Sequence, residues 1–486
     1  MSSQKKKQPE DSGKQKAVNG KNKRRRRKKG MTLDDRPVLE PNAAGIDIGA
    51  REIFVAVPAD RDENPVRVFP TFTEDLEEMA GWLVSCGVTT VAMESTGVYW
   101  IPLYDVLEQH GVRPCLVNAR NMKNVPGRRT DWHECQWLQF LHSVGLLRAA
   151  FRPDGAVSAV RSLMRHRTDL VQIAAQHIQH MQKSLTQMNL QIHHVISEIT
   201  GVTGLAIVDA ILAGERGPAV LAKLRDHRIH ASEEIVQKSL VGNWKPEHLF
   251  TLKQSRQIYQ QYQESITACD EEIEKLLVAF EPRVDPAEHP LPPDRKAKQR
   301  KRKKRGVIPG VNAKTGFDMR TEAYKLFGVD VTQIPGLMMT PLKLFSEVGR
   351  DMSRWPTADH FASWLGLCPD NDISGGRVLW KGMRGTRNHA GQLFRMAAFG
   401  LHHELSPMGD HLRRMKSKIG PAAAQTATAH KIAIIFYTMV KKQVEYDASI
   451  RAQKDAEREK RFEAKLKRQA QARGYKLVKI EETIAA

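Results

Sequence analysis

Short apolar runs separated by turn residues dominate the first part of the chain. One of these runs, at residues 43–50, ends with Asp47 and Gly49, and a second apolar run follows at residues 53–57. This pattern predicts two strands joined as a hairpin. A third strand fits residues 66–72, and the apolar run at 90–93 predicts a buried strand that ends at Glu94.

Helical patterns alternate with the later strands. Residues 73–87 carry acidic residues in the first turn and end in a glycine, which predicts a helix. A second helix is predicted at 98–111, a fifth strand at 114–117, and a third helix after Thr130 as its N-cap. The order of these elements predicts an α/β domain.

Four carboxylates stand at informative places in this pattern: Asp47, Glu94, Asp131 and Glu134. Asp47 lies within the first strand, Glu94 ends a strand expected beside it, and Asp131 and Glu134 share one face of a helix. Carboxylates of this kind bind Mg²⁺, which can activate an attacking oxygen and stabilise a leaving one. Equally, the two helix acids could simply favour the helix N-terminus, and acids at strand ends are common in α/β folds. Spacing alone leaves both interpretations open.

Two heptad patterns occupy the middle of the chain and predict two long helices. The first consists of Ile178, Met181, Leu185, Met188, Ile192, Val195 and Ile199, and the second of Tyr259, Tyr262, Ile266, Cys269, Ile273, Leu276 and Phe280. A first helix over residues 157–199 would be about 60 Å long. The two helices could fold back on each other, pair with another subunit, or form an ordinary bundle core.

The last third of the chain carries two glycine-containing motifs. Residues 334–336 predict a tight turn before a helix, as in helix-hairpin-helix units that hold phosphates, although a plain turn fits too. In the glycine-rich stretch at 366–387, Ser374 precedes two glycines and could act as a nucleophile or merely form a turn. The cations that follow it are Arg377, Lys381, Arg384 and Arg387. Further helices are predicted at 390–405 and 422–444, with a charged tail helix from about 448.

Composition narrows the class of protein. The 486 residues suffice for two or three domains, and no apolar run is long enough to cross a membrane. The five cysteines are scattered without CxxC pairs, which argues against a zinc ribbon and against a disulfide framework. This pattern is typical of a protein in a reducing compartment. We therefore expect a soluble, cytoplasmic protein.

The net charge of +21 is concentrated in two segments. Residues 1–30 hold 13 Lys or Arg against two acids, and residues 294–305 hold 9 against one. Such blocks commonly bind phosphate backbones, although the first could be a targeting or solubility tag. The candidate nucleic-acid-binding cations here are Arg24, Arg25, Arg26, Arg27, Arg300, Lys301 and Arg302.

Several motifs together resemble the DEDD transposases of bacterial insertion sequences, relatives of the Piv DNA invertase that include bridge-RNA-guided recombinases. The motifs are GIDIGAREIFVAV from Gly45, MESTGVYW from Met93, NVPGRRTDWHECQWLQFLHSVGLL from Asn124, and IPGL from Ile334 with ISGGR from Ile373. The resemblance covers about residues 44–444.

The resemblance implies a RuvC-like, RNase H-like N-terminal domain whose D-E-D-D acids bind Mg²⁺ at Asp47, Glu94, Asp131 and Glu134. Glu134 stands where the family pattern has Asp; it keeps the charge and adds a methylene. Ser374 matches the family's serine nucleophile, which forms a phosphoserine link to DNA. The implied partners are donor and target DNA, a noncoding guide RNA, and further copies of the chain as dimers or tetramers.

These observations predict a transposase with an α/β RNase H-like domain, a helical coiled-coil insert and a mainly α C-terminal domain. The expected limits are a basic arm at 1–40, the RuvC-like domain at 41–152, the coiled-coil region at 153–283, a basic linker at 284–330, the serine domain at 331–447 and a tail helix at 448–486. Two alternatives stay open. One is a RuvC-like nuclease that uses metal and water alone, and the other is a non-catalytic scaffold that binds RNA or DNA.

Overall fold

The computed structural model describes residues 36–95, 97–118, 130–293, 317–338, 340–380, 382, 388–447 and 449–476. The chain divides into two compact units, Met1–Phe151 and Arg152–Ala486. No helix in the described ranges is long and apolar enough to cross a membrane.

The first unit is built on a five-stranded mixed sheet with strand order β3-β2-β1-β4-β5. Its strands are β1 (Ala43–Ile48), β2 (Glu52–Ala56), β3 (Val66–Pro70), β4 (Thr90–Glu94) and β5 (Arg113–Val117). The first three strands are antiparallel, whereas β4 runs parallel to both β1 and β5. The predicted hairpin and the predicted α/β class are confirmed.

Helices cover both faces of this sheet. They are α1 (Thr73–Ser85), α2 (Trp100–Gln109) and α3 (Asp131–Ser143). Ile46 and Met93 pack into the larger core with α1 and α2, while Ala92 packs on the opposite face against Leu138 and Leu141 of α3. Alternate residues of one strand therefore serve two different cores, as the period of a strand requires.

Two long helices form the main body of the second unit's first half: α4 (Gly155–Gln187) and α8 (Pro246–Val278). Arg167 and Asp270 form a buried ion pair between them, and Ser184 lies 3.0 Å from the Thr251 hydroxyl. Because residue numbers rise along one helix and fall along the other at these contacts, the pair is antiparallel. The fold-back alternative is therefore the one observed.

The predicted extent of the first long helix was wrong. The helix ends at Gln187, and Asn189 adopts φ 57°, a left-handed conformation that stops a helix. Ile192 and Ile199 continue the apolar spacing and are buried, but they lie in a folded-back segment with a short 3-10 turn. The connector to α8 contains three further helices: α5 (Val202–Leu212), α6 (Pro218–Ala222) and α7 (Glu233–Ser239).

Helices also dominate the end of the chain. They are α9 (Met319–Phe327), α10 (Pro341–Val348), α11 (Ala358–Trp364), α12 (His389–Phe399), α13 (Pro407–Ile419), α14 (Pro421–Lys442) and α15 (Ser449–Ala472). Fully buried aromatic rings join several of them, since Phe436 of α14 contacts Phe327, Phe361 and Phe394. The sequence did not predict α13, and α12 is shorter than expected.

The predicted turn at residues 334–336 packs inside this helical body. Gly336 has φ 93°, and a Cβ there would lie 2.5 Å from the Ala397 carbonyl oxygen of α12. Ile334 and Leu337 on either side are fully buried. The turn thus has a packing role, and phosphate binding by it stays a prediction.

Candidate functional site

Asp47 and Glu94 lie abreast at the same edge of the sheet. In the parallel pairing of β1 with β4, Ile46 is opposite Met93, so the next position along each strand brings Asp47 beside Glu94. Neighbouring strands are about 4.8 Å apart. Both carboxylates are partly exposed and point to the face covered by α3, because Gly45 and Ala92, two positions earlier, also face that helix.

Helix α3 crosses β1 at close range and runs antiparallel to it. A Cβ on Gly45 would lie 2.2 Å from both the Cys135 carbonyl oxygen and the Gln139 backbone nitrogen. The Gln139 amide donates to the Ala43 carbonyl at 3.2 Å. Four helix residues advance about 6 Å and two strand residues about 6.6 Å, so this register puts Asp131 over the level of Asp47.

The start of α3 is fixed by its N-cap. The Thr130 hydroxyl accepts a hydrogen bond from the His133 backbone N–H, as predicted. Asp131 and Glu134 therefore lie in the first turn, where negative charge also favours the helix dipole. Asp131 is exposed and Glu134 half-buried.

The pKa of the Cys135 thiol reflects the negative charge at this edge of the sheet. This pKa is raised to about 12, chiefly by burial and in smaller part by the negative charges of Asp47 and Asp131. Both carboxylates must be near one thiol to act on it, which agrees with the register of α3 on β1. A thiol with such a pKa stays protonated near neutral pH and is not a nucleophile.

The carboxylates offer oxygen donors only, and this chemistry fits a hard divalent cation such as Mg²⁺. Within the described ranges, no group of three or more His, Cys, Asp and Glu side chains is close enough to hold a metal ion. The structure thus brings Asp47 beside Glu94 and the first turn of α3 above Asp47, without a preformed cluster of the four. Asp47, Glu94 and Glu134 each have an interaction partner.

Ser374 lies on an exposed two-stranded hairpin in the second unit. Its strands are β6 (Asp372–Ser374) and β7 (Arg377–Trp380), and Ser374 pairs with Arg377 across a two-residue turn. Gly375 and Gly376 in that turn have φ of 56° and 77°, which glycine adopts without strain. The glycine-rich stretch is therefore a hairpin with its serine at the tip. In the sequence, the two consecutive glycines between short strands are the signal that indicates this hairpin.

Most of the cations predicted to bind nucleic acid lie outside the described residues. These are Arg24, Arg25, Arg26, Arg27, Arg300, Lys301, Arg302, Lys381, Arg384 and Arg387. Arg377 is described and is exposed beside Ser374 in the hairpin.

The sequence did not predict a groove of about 1270 Å³ in the second unit. Its walls come from α13 and α14, and its basic residues include Arg414, Lys418 and Lys431. The sequence signal was the amphipathic, Lys- and Arg-rich pattern of residues 407–419, which is typical of a surface helix.

Two family models match the chain. One is the transposase model DEDD_Tnp_IS110, which matches residues 44–190 and so includes all four carboxylates. The other is described as transposase IS116/IS110/IS902 family and matches residues 330–408, which include Ser374. No curated protein matches the sequence.

Proposed function

We propose that this chain, which belongs to the IS110-type DEDD transposases, cuts and rejoins DNA through a covalent link between Ser374 and phosphorus. The transposase class follows from the two matched regions. The observation that carries the serine assignment is the exposed position of Ser374 at the tip of a hairpin, next to two glycines that let a backbone phosphate approach closely.

The proposed reaction is a transesterification at a DNA phosphodiester. The Ser374 hydroxyl oxygen forms a bond to phosphorus, the bond from phosphorus to one deoxyribose oxygen breaks, and the hydroxyl proton ends on that leaving oxygen. The number of phosphoester bonds is unchanged, so a DNA hydroxyl can reverse the step and rejoin the strand. Arg377, opposite Ser374 in the hairpin, is suited to stabilise the charge on the phosphate oxygens.

Asp47, Glu94, Asp131 and Glu134 would hold Mg²⁺ at the sheet edge. When bound there, the ion would supply Lewis-acid polarisation of a phosphate oxygen. The alignment of Asp47 with Glu94 and the register of α3 support this assignment. Glu134 reaches one methylene further than the family's aspartate, so its carboxylate can bind from a slightly more distant backbone.

We also propose that a noncoding guide RNA selects the donor and target DNA, and that dimers or tetramers carry out the exchange. Base pairing by an RNA would explain how a protein of this class chooses its targets without reading bases itself. The two basic segments, with +11 and +8 charges by sequence count, are suited to bind RNA and DNA backbones.

The first test compares two substitutions in a strand-exchange assay with donor and target DNA. Ser374→Ala is expected to abolish exchange while RNA and DNA binding stay nearly unchanged. Asp47→Asn is expected to reduce exchange strongly because it removes one carboxylate of the cation site. Ser265→Ala, at an exposed serine of α8, is the matched control and should exchange at the wild-type rate.

This comparison separates the proposal from a nuclease that uses metal and water alone. Such an enzyme would lose activity in Asp47→Asn and keep it in Ser374→Ala. A scaffold without activity would show no cleavage in the wild type. The guide is tested by sequencing the RNA that purifies with the protein at moderately high salt. A single discrete RNA supports guidance, whereas heterogeneous RNA that is lost as salt rises contradicts it.

A further inference from the structure

The groove in the second unit lies at the base of the Ser374 hairpin. Helices α13 and α14 form its walls, and Phe462 of α15 bounds one side. Asn371, directly before β6, and Gly382, shortly after β7, line the same groove. The Asp370 N–H donates to the Gly382 carbonyl at 2.8 Å and ties the two ends of the hairpin together.

Ser374 therefore lies only a few residues along the chain from a residue that lines the groove. It stands three positions after Asn371, which corresponds to about 10 Å of extended strand. A polymer that occupied the groove could continue along the hairpin and present its next backbone unit to the serine.

The charge of the groove suits a polyanion. Arg414, Lys418 and Lys431 line it, and Asp410 is the carboxylate among its lining residues. Asp410 forms an ion pair with Arg413, one residue before Arg414. The lining thus keeps an excess of positive charge.

Apolar side chains stand beside these cations. Met415, Ile419 and Phe462 line the groove, with Ile419 47% and Phe462 56% exposed. Exposed apolar surface next to Lys and Arg matches a nucleotide strand, whose bases stack on apolar and aromatic side chains while its phosphates contact cations. A duplex would not use these apolar residues, because its base faces are stacked inside.

We propose that this groove binds an unpaired DNA strand next to the phosphate that Ser374 attacks. Phosphates lie against Arg414, Lys418 and Lys431, and a base stacks on Phe462 and Ile419. The inference rests on the proposed function for the nature of the strand and adds a site to it.

Binding of a short labelled single strand tests the phosphate contacts. The full chain carries Ser374→Ala in every sample, so that no cleavage accompanies binding. Lys418→Glu is expected to weaken binding roughly tenfold and to lower the slope of log affinity against log salt by about one. Lys416→Glu is the control, because Lys416 is exposed on the same helix, undergoes the same charge change, and is not among the lining residues. It should change affinity less than about twofold.

A strand with abasic positions tests the stacking contact. Phe462→Ala should weaken binding of the ordinary strand roughly tenfold and leave binding of the abasic strand unchanged. Lys418→Glu should weaken both. Phe399→Ala is the control, since Phe399 is 63% exposed on α12 and does not line the groove.

Equal affinities of the Lys418→Glu and Lys416→Glu variants for the single strand would overturn the assignment of the groove as its binding site. A larger effect of Lys418→Glu on duplex DNA than on a single strand would overturn the assignment to an unpaired strand. A groove-dependent preference for single-stranded RNA would overturn the assignment to DNA. None of these results depends on covalent chemistry, so the groove can fail while the serine mechanism stands, and the reverse.

Discussion

Gly45 of β1 and Cys135 of α3 approach so closely that a Cβ on the glycine would lie 2.2 Å from the cysteine carbonyl oxygen. A second backbone atom, the Gln139 nitrogen, lies at the same distance. This contact sets the height of α3 above the sheet and its register along β1. The position of the first turn of α3 relative to Asp47 depends on it.

Gly45→Ala is therefore expected to destabilise the first unit and to impair strand exchange. Both neighbours are backbone atoms, so α3 must shift, at a cost of about 1–3 kcal/mol. Gly81→Ala is the matched control: Gly81 lies within α1, a Cβ there would meet nothing within 4 Å, and alanine should stabilise the helix by about 1 kcal/mol. Urea unfolding measures both. Equal stabilities of the two variants would contradict the close contact.

The ion pair between Arg167 and Asp270 holds α4 to α8 in a buried setting. The two side chains are only 6% and 5% exposed. Arg167→Met leaves the Asp270 carboxylate buried without its partner and should cost about 3–5 kcal/mol. Replacing both residues, as Arg167→Met with Asp270→Leu, should recover most of that loss because no charge then stays buried.

The pair of Arg256 with Asp209 is the control for this experiment. Asp209 is 51% exposed, so Asp209→Asn should cost less than about 1 kcal/mol. Thermal and urea unfolding of the wild type and the three variants measure the difference. A double variant no more stable than Arg167→Met would show that the pair itself, rather than the buried charge, determines the stability.

His142 makes the first unit sensitive to acid. Burial lowers the pKa of this imidazole, whose Nε2 lies 2.9 Å from the Thr90 hydroxyl, and that hydroxyl donates to the Arg113 carbonyl. The unfolded chain binds the proton first as pH falls below about 6.5, so stability present above that pH is lost as pH falls towards the lowered pKa.

The free energy of unfolding should thus fall more between about pH 7.5 and about pH 5.5 in the wild type than in His142→Gln, which has no group at this position that titrates in this range. Urea unfolding at the two pH values measures the difference. Parallel losses in both proteins would mean that protonation of His142 does not contribute.

The sheet and its flanking helices could be predicted because each has a local signal. Short apolar runs mark β1 and β2, and the Thr130 cap marks the start of α3. The side-by-side position of Asp47 and Glu94 could also be predicted, because it follows from the order of the strands in the sheet. The contact of Gly45 with Cys135 could not be predicted, because it depends on how closely two separate elements approach.

Apolar periodicity predicted the wrong end for the first long helix, because residues beyond the helix are also buried. The apolar spacing persists through Ile192 and Ile199, but the chain turns at Asn189 and buries these residues in another segment. The hairpin of Ser374 was not predicted from the sequence. Its strands are three and four residues long and every residue in them is exposed, so they carry no burial pattern.

Covalent capture of DNA tests directly whether Ser374 is the nucleophile. The protein is incubated with Mg²⁺, its copurified RNA and DNA, then denatured, digested with nuclease and protease, and analysed by mass spectrometry. A nucleotide phosphate is expected on Ser374 in the peptide that contains the two turn glycines, and it should be absent in Ser374→Ala. Cleaved DNA without any adduct on Ser374, or an adduct on another residue, would contradict the covalent link between Ser374 and DNA.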